Sequence, residues 1–270
     1  MISRIESLFF SATGNSRQVV NTLSSSLSKA LGCRVTASYD VTPMAARQRE
    51  YCFESSTFVV VGCPVYAGRV PNKIMPFFQH NVKGNSTPVV VALTYGNRAY
   101  DDALREMVGL LSAAGFVVVG AVTQPSQHAF SSRVAQGRPD ADDLERVAQY
   151  GKTLAERIGT GTVHPSFVAS QEELVYYTPL TTQGTRANIL KVKPETDRTL
   201  CDGCGMCAER CPMGSIDTRE PWTVSGICIK CHACVAGCPR HAKTFTDPEF
   251  LSHVAMIEAN FGTRKDAEFF

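Results

Sequence analysis

The sequence lacks an apolar run long enough to cross a bilayer. Its longest, Thr57–Cys63, Val89–Thr94 and Gly115–Val122, fall far short of the roughly 20 residues a membrane helix requires. It also lacks a dominant charge, with 27 Lys and Arg against 25 Asp and Glu in 270 residues. No segment is basic enough to be a nucleic-acid footprint. Neither GxxxxGK[ST] nor GxGxxG occurs, so a nucleoside triphosphate or a dinucleotide is not the expected ligand. The opening residues, MISRIESLFFSATGNS, have no extended apolar core or small-residue cleavage site of the kind a signal peptide carries. Tryptophan is nearly missing, since Trp222 stands alone. Cysteine is the exception: there are 11, and the residues from Cys201 onward place eight of them in one repeated spacing. That pattern argues against a secreted disulfide scaffold and for a reducing cytoplasm.

The length suits one large domain or two modest ones. Residues 1–160 alternate apolar runs with helical patterns. Strands are expected at Ile5–Phe10, Arg34–Tyr39, Thr57–Cys63, Thr87–Thr94 and Phe116–Val122. Helices are expected from residue 16 to about Leu31, then at Asn72–His80, Tyr100–Ala114 and Asp140–Ile158. Strands with few polar positions, separated by helices, predict an α/β domain whose parallel sheet is covered on both faces. Residues 161–196 are rich in Gly, Thr and Pro and read as a linker with one short strand at Leu174–Tyr177. The cysteine repeat occupies 197–247, where turns are too dense for a large core, and 248–270 reads as a C-terminal helix.

The turn after the first strand is Ser11-Ala12-Thr13-Gly14-Asn15-Ser16, and it opens directly into a helix. A helix N-terminus presents unpaired N–H groups and the positive end of a dipole, which suit an anion. Ser11, Thr13 and Ser16 add hydroxyls, and Gly14 lets the backbone approach closely. The same residue types also make a plain capped turn. A strand, [S/T]xTGN[S/T] and a helix in this order resemble the phosphate loop of flavodoxins, which hold flavin mononucleotide (FMN). The stretches Pro64-Val65-Tyr66-Ala67-Gly68 and Thr94-Tyr95-Gly96-Asn97, the latter running on to Tyr100, resemble the two ring-contacting loops of that family.

The resemblance implies a doubly wound, five-stranded parallel sheet of order 2-1-3-4-5, with FMN beyond the carboxyl ends of its strands. It implies that Tyr66 offers an aromatic face and that the Gly68 backbone turns toward flavin N5. It also implies that the amides around Gly96 and Asn97 address the pyrimidine edge. Many flavodoxins stack a Trp in the first of these loops; here Tyr66 stands in that loop. Arg69 reads equally as a partner for an anionic flavin or as a solvated loop residue, and His128 as a substrate contact or a surface residue. Cys33, Cys52 and Cys63 read as small, partly buried hydrophobes.

CDGCGMCAERCPMG, residues 201–214, sets four cysteines at gaps of three, three and four, with a proline after the last. CIKCHACVAGCPRH repeats the spacing at 228–241. Structural zinc takes CxxC pairs separated by an intervening stretch, whereas here a third cysteine follows at the same short gap. The run resembles that of two-cluster bacterial ferredoxins, in which the fourth cysteine serves the other cluster. The resemblance implies one [4Fe-4S] cluster on Cys201, Cys204, Cys207 and Cys238, and another on Cys228, Cys231, Cys234 and Cys211. It makes 197–247 a small α+β ferredoxin domain. Its charges balance at six and six, and Lys230, His232, Arg240 and His241 near the ligands read as surface residues or as groups that raise the potentials.

The whole chain therefore resembles fused flavodoxin–ferredoxin proteins. That implies an electron-transfer protein passing electrons between two [4Fe-4S] clusters and FMN, coupling one- and two-electron steps. The alternative is an FMN-dependent reductase of a quinone, a nitro compound or oxygen, fed by its own clusters. Expected partners are a redox donor and acceptor protein, with no nucleic acid, no membrane span and room for a homodimer.

Overall fold

A computed structural model describes residues 2–160 and 173–270. In chain order the first part holds β1 (Arg4–Phe9), α1 (Asn15–Leu31), β2 (Arg34–Asp40), a 3-10 turn (Met44–Gln48) and β3 (Tyr51–Phe53). It continues through β4 (Thr57–Pro64), α2 (Met75–His80), β5 (Val82–Gly84), β6 (Thr87–Tyr95), α3 (Ala103–Ala113), β7 (Phe116–Pro125) and α4 (Ala141–Gly159). After it come β8 (Glu195–Thr196), α5 (Met206–Glu209), α6 (Ala233–Ala236), β9 (Lys243–Thr244), α7 (Pro248–Asn260) and β10 (Glu268–Phe269).

The main sheet has the order β10-β7-β6-β4-β1-β2. Its five long strands pair in parallel in the order expected from the sequence. Valine-rich β4 and β6 lie in the centre, where β-branched side chains fill both faces. On one face Ile5, Val60, Val90 and Val122 meet Val19, Val20 and Leu23 of α1 and Val147 and Leu154 of α4. On the other, Leu8, Val61, Val91 and Leu93 meet Phe77 and Phe78 of α2 and Leu104, Met107 and Leu111 of α3. Gly62 lets α1 lie close on β4, because a Cβ there would stand 2.2 Å from Val20 Cγ2.

Four features depart from the sequence reading. A sixth strand, β10, is present and runs antiparallel along the free edge of β7. The expected C-terminal helix stops at Asn260; the charged stretch after it lies along the first domain, where Lys265 Nζ donates to Arg98 O (2.5 Å) and Arg138 donates to Lys265 O (2.7 Å). No strand forms at 174–177, because that backbone is bonded to loop groups instead: Val175 N donates to Asp102 and Tyr177 N to Ala67 O. Residues 161–172 of the expected linker lie outside the described residues. The short parallel pair β3–β5 was also not anticipated.

β10 is held by side chains as well as by its ladder. Phe269 packs at 5.0 Å on the ring of Tyr150, whose hydroxyl donates to Phe270 O at 2.6 Å. Tyr100 donates to Glu268 at 2.9 Å. Phe269→Ala is expected to lower stability by about 1–3 kcal/mol, the value of a half-buried aromatic contact. Denaturant unfolding checks this, and an unchanged midpoint would show that β10 contributes nothing to the sheet.

Candidate functional site

The carboxyl edge of the sheet brings the predicted loops together, since Pro64, Thr94 and Gln124 lie side by side across β4, β6 and β7. Gly14 takes a left-handed conformation (φ 97°) at the start of α1. Arg17 N is bonded to Ser11 Oγ at 3.1 Å and Gln18 N to Gly14 O at 3.1 Å. The amides of Asn15 and Ser16 have no partner among the described residues. Thr13 is exposed at the same mouth. Arg17 folds back so that its guanidinium lies 3.8 Å from where a Cβ on Gly14 would stand. The loop therefore offers unpaired donors, a dipole end and one cation, which fit a phosphate. Arg17 was not anticipated, because nothing in its position in the sequence shows that its side chain turns toward the loop. The Ser16 hydroxyl is committed elsewhere, to Thr94 Oγ1 at 2.7 Å.

Pro64 and Val65 lead into a tight hairpin, Tyr66 to Arg69, with Ala67 and Gly68 both at positive φ. Arg69 is neither solvated nor free to meet an anion. It is buried, donates to Glu106 through Nε (2.9 Å) and Nη2, and donates to Leu174 O through Nη1 at 2.9 Å. The space beside Gly68 is filled by Asp101, which a Cβ would meet at 2.2 Å. Residues 174–177 cover the hairpin, with the Tyr177 ring 3.8 Å from the Arg98 guanidinium.

In the second loop, Gly96 is required because His128 fills the place of its side chain, a Cβ there falling 2.2 Å from the imidazole. The Gly96 amide has no partner among the described residues, whereas that of Asn97 already donates to Tyr95 O at 2.9 Å. The fully buried Asn97 side chain donates to Phe261 O (2.7 Å) and Thr263 O (2.8 Å), so it anchors the C-terminal stretch. Tyr95 and Tyr100 meet edge to face at 5.6 Å. Burial pushes both phenols up to about 12, with Glu268 acting in the same direction.

The eight repeated cysteines gather into two groups of four. Cys201, Cys204, Cys207 and Cys238 line one cavity that is open on one side. Cys211, Cys228, Cys231 and Cys234 line a second. Each half of the repeat thus sends its fourth cysteine across to the other half's cavity. The two crossing thiols are held alike, Cys211 Sγ accepting from Ser215 N at 3.4 Å and Cys238 Sγ from Ala242 N at 3.3 Å. Among the described residues no three His, Cys, Asp or Glu side chains converge as a single ion would require. Four thiols spread around such a cavity fit a cluster of several irons, in which each sulfur binds a different metal. Of the other cysteines, Cys63 is buried but Cys52 is exposed, against expectation.

The second cavity faces the first domain. Met213 and Ile229 of its wall pack on the same apolar core as Tyr66. Burial pushes the Tyr66 hydroxyl well above the usual phenol range, and the nearby Cys231, Cys63 and Cys228 push it the same way. Arg47 donates to Pro212 O and caps Val41 O at 2.7 Å. Phe130, from the loop after β7, enters the apolar cluster of Ile189, Phe245 and Phe250. In the same loop Ser131 donates to Glu258 of α7 at 2.6 Å. By contrast, Cys204 of the first cavity is exposed, next to the surface pair Arg240–Asp202 (2.9 Å).

Burial holds His128 neutral, moving its protonation from an ordinary 6.5 down to about 4. Between those values the unfolded chain takes up a proton that the folded chain does not, so stability falls as pH drops from 6.5 toward 4 and is unaffected above. Compared with His128→Gln across that window, the wild type is expected to lose additional stability on the order of 3 kcal/mol. Parallel pH profiles of the two denaturation midpoints would contradict a buried, neutral imidazole.

Residues 194–217 match the family described as 4Fe-4S binding domain. No curated protein matches the chain. Among solved structures, a Streptococcus pneumoniae flavodoxin is 16% identical, covering 57% of this chain and 99% of its own with a TM-score of 0.40. Two-electron reduced Megasphaera elsdenii flavodoxin is 15% identical over 56% of this chain and 98% of its own, at 0.34. Rubredoxin oxygen:oxidoreductase from Desulfovibrio gigas is 14% identical over 58% of this chain and 36% of its own, at 0.35. The strand order β2-β1-β4-β6-β7 within this chain is what assigns the topology of its first domain. One chain thus joins a parallel sheet of flavodoxin-like strand order to a 4Fe-4S binding segment that follows it.

Proposed function

We propose that the chain transfers electrons between two [4Fe-4S] clusters and FMN, and exchanges them with redox proteins outside. One cluster is assigned to Cys201, Cys204, Cys207 and Cys238, the other to Cys211, Cys228, Cys231 and Cys234. FMN is assigned to the loop Ser11 to Ser16, with its ring at residues 64–68 and 94–97. The observation that carries this reading is that Cys228 and Cys231 of the second cavity lie near the Tyr66 hydroxyl, while Met213 and Ile229 of the cavity wall pack on the core that Tyr66 also packs against. When bound, the clusters carry electrons singly while FMN holds two, so one chain couples the two kinds of step.

The chain's own residues supply position. Phe130 and Arg47 fix the cysteine segment against the first domain. Gly14, Arg17 and the amides of Asn15 and Ser16 bind phosphate. The outer cavity, with Cys204 exposed, is the side on which a donor docks. The second cavity's ligands, on the side of Tyr66, would hold the cluster that supplies electrons to the ring loops. A small-molecule reductase would need an open approach to the ring loops. Residues 174–177 cover the hairpin and residues 261–263 are bonded to Asn97, which favours a carrier. No helix among the described residues is long and apolar enough to cross a membrane, and eight thiolate ligands suit a reducing cytoplasm.

Protein purified anaerobically is expected to hold about eight iron and little zinc per chain. It should bind FMN at least tenfold more tightly than riboflavin, through charge-assisted bonds to the phosphate. Cys211→Ser should bleach the cluster of Cys228, Cys231 and Cys234 and spare the one nearer in sequence. Stoichiometric zinc would overturn the cluster assignment, and equal flavin affinities the phosphate loop.

A further inference from the structure

The two halves of the cysteine repeat superpose residue for residue in sequence, and three positions in each half share a left-handed backbone. In the first half these are Gly203 (φ 76°), Gly205 (φ 75°) and Gly214 (φ 58°). In the second they are Lys230 (φ 56°), His232 (φ 60°) and His241 (φ 51°). Glycine takes this conformation freely, and other residues are disfavoured there. The half whose cavity lies against the first domain thus replaces every one of these glycines with a nitrogen-bearing side chain. The three differ in what they do. His241 is exposed. Lys230 sends its ammonium to Leu190 O at 3.0 Å and Cys228 O at 3.3 Å.

His232 is 7% exposed and lines the cavity of Cys211, Cys228, Cys231 and Cys234. Its ring stacks on Phe245 with centroids 4.6 Å apart and meets Phe130 at 4.9 Å. Its Nε2 is buried with no hydrogen-bond partner. A buried polar nitrogen without a partner is disfavoured unless something absent from the protein atoms satisfies it. His232 belongs to the cavity wall, and a cluster with its thiolates is an acceptor of N–H bonds. The corresponding position in the outer cavity is Gly205, which has no side chain to donate.

We infer that His232 sets the two clusters apart in potential: its Nε2–H donates to the inner cluster or one of its thiolates and raises that potential above the outer one. Hydrogen bonds to the sulfurs favour the reduced, more negative form. One electron then leaves the outer site and one arrives at the inner, with no proton transferred, and the equilibrium favours the side next to Tyr66. Phe130 links this residue to the flavin loops, because its ring also meets His128 at 5.0 Å and His128 fills the space beside Gly96.

The inference rests on the two-cluster reading, and the test separates them. Full-length protein with eight iron is titrated anaerobically and followed by electron paramagnetic resonance. Replacing His232 by Gly restores the residue of the first half and fits the backbone. Replacing it by Phe keeps a stacking ring without the N–H. In both, one of the two cluster waves should fall, changing the partition of an electron between the clusters about tenfold, or 59 mV for a one-electron couple. In wild type labelled with ¹⁵N-histidine, pulsed resonance of the reduced protein should show one coupled nitrogen, lost in His232→Gly. Should His232→Phe fail to hold iron, the Gly variant and the labelled wild type still decide. Waves that stay in place, waves that move together, recovery of the wild-type gap in the Phe variant, or no nitrogen coupling would each overturn the role of His232 while leaving two clusters intact. A chain that holds fewer than two clusters would overturn the reading beneath it.

Discussion

Each half of the cysteine repeat gives one thiol to the cavity of the other, and the rest of the C-terminal architecture follows from that exchange. Cys211 stands with Cys228, Cys231 and Cys234, and Cys238 with Cys201, Cys204 and Cys207. Each half keeps only three cysteines in its own cavity, so residues 195 to 244 form one unit despite having only two four-residue helices and a two-stranded ladder. A segment this poor in core depends on metal ligation for much of its stability. The apolar contacts it does have are spent at its border with the first domain, where Phe130, Ile189, Phe245 and Phe250 meet.

That border gives the molecule a direction. Cys228 and Cys231 of the inner cavity lie near the Tyr66 hydroxyl, while the outer cavity presents Cys204 to solvent. The loop after β7, residues 126–139, holds both sides in register: His128 fits beneath Gly96, Phe130 inserts among the C-terminal aromatics, and Ser131 and Arg133 bind Glu258. One short loop thereby ties the backbone at Gly96 to the cysteine segment.

Much of this was legible in the sequence. The five parallel strands and their helices appear in runs such as TFVVVGC and TPVVVALT because a sheet buried on both faces leaves little choice of residue. The cysteine code was legible because metal geometry fixes its spacing. What escaped were features that depend on partners distant in sequence. Glu268 and Phe269 carry no strand pattern, and only the open edge of β7 makes them one. Arg69 looked like a loop cation, but Glu106 lies 37 residues away and buries it. His128 looked like a surface residue until Gly96 proved to be its neighbour. Tyr66 was read as a face for the flavin ring, and its hydroxyl lies near Cys228 and Cys231, which no local pattern could show.

The position of β10 bears on how the molecule is made. This strand completes the sheet that β1 begins, yet it follows the cysteine repeat in the chain. During synthesis the edge of β7 therefore stays bare until both halves of the repeat have emerged. An uncovered parallel edge is a template for unwanted strand pairing. The first domain can thus collapse early but is sealed late, after the segment that must receive iron is already outside the ribosome. Closure of the sheet is in this way placed after emergence of the cysteine repeat by the order of the chain itself.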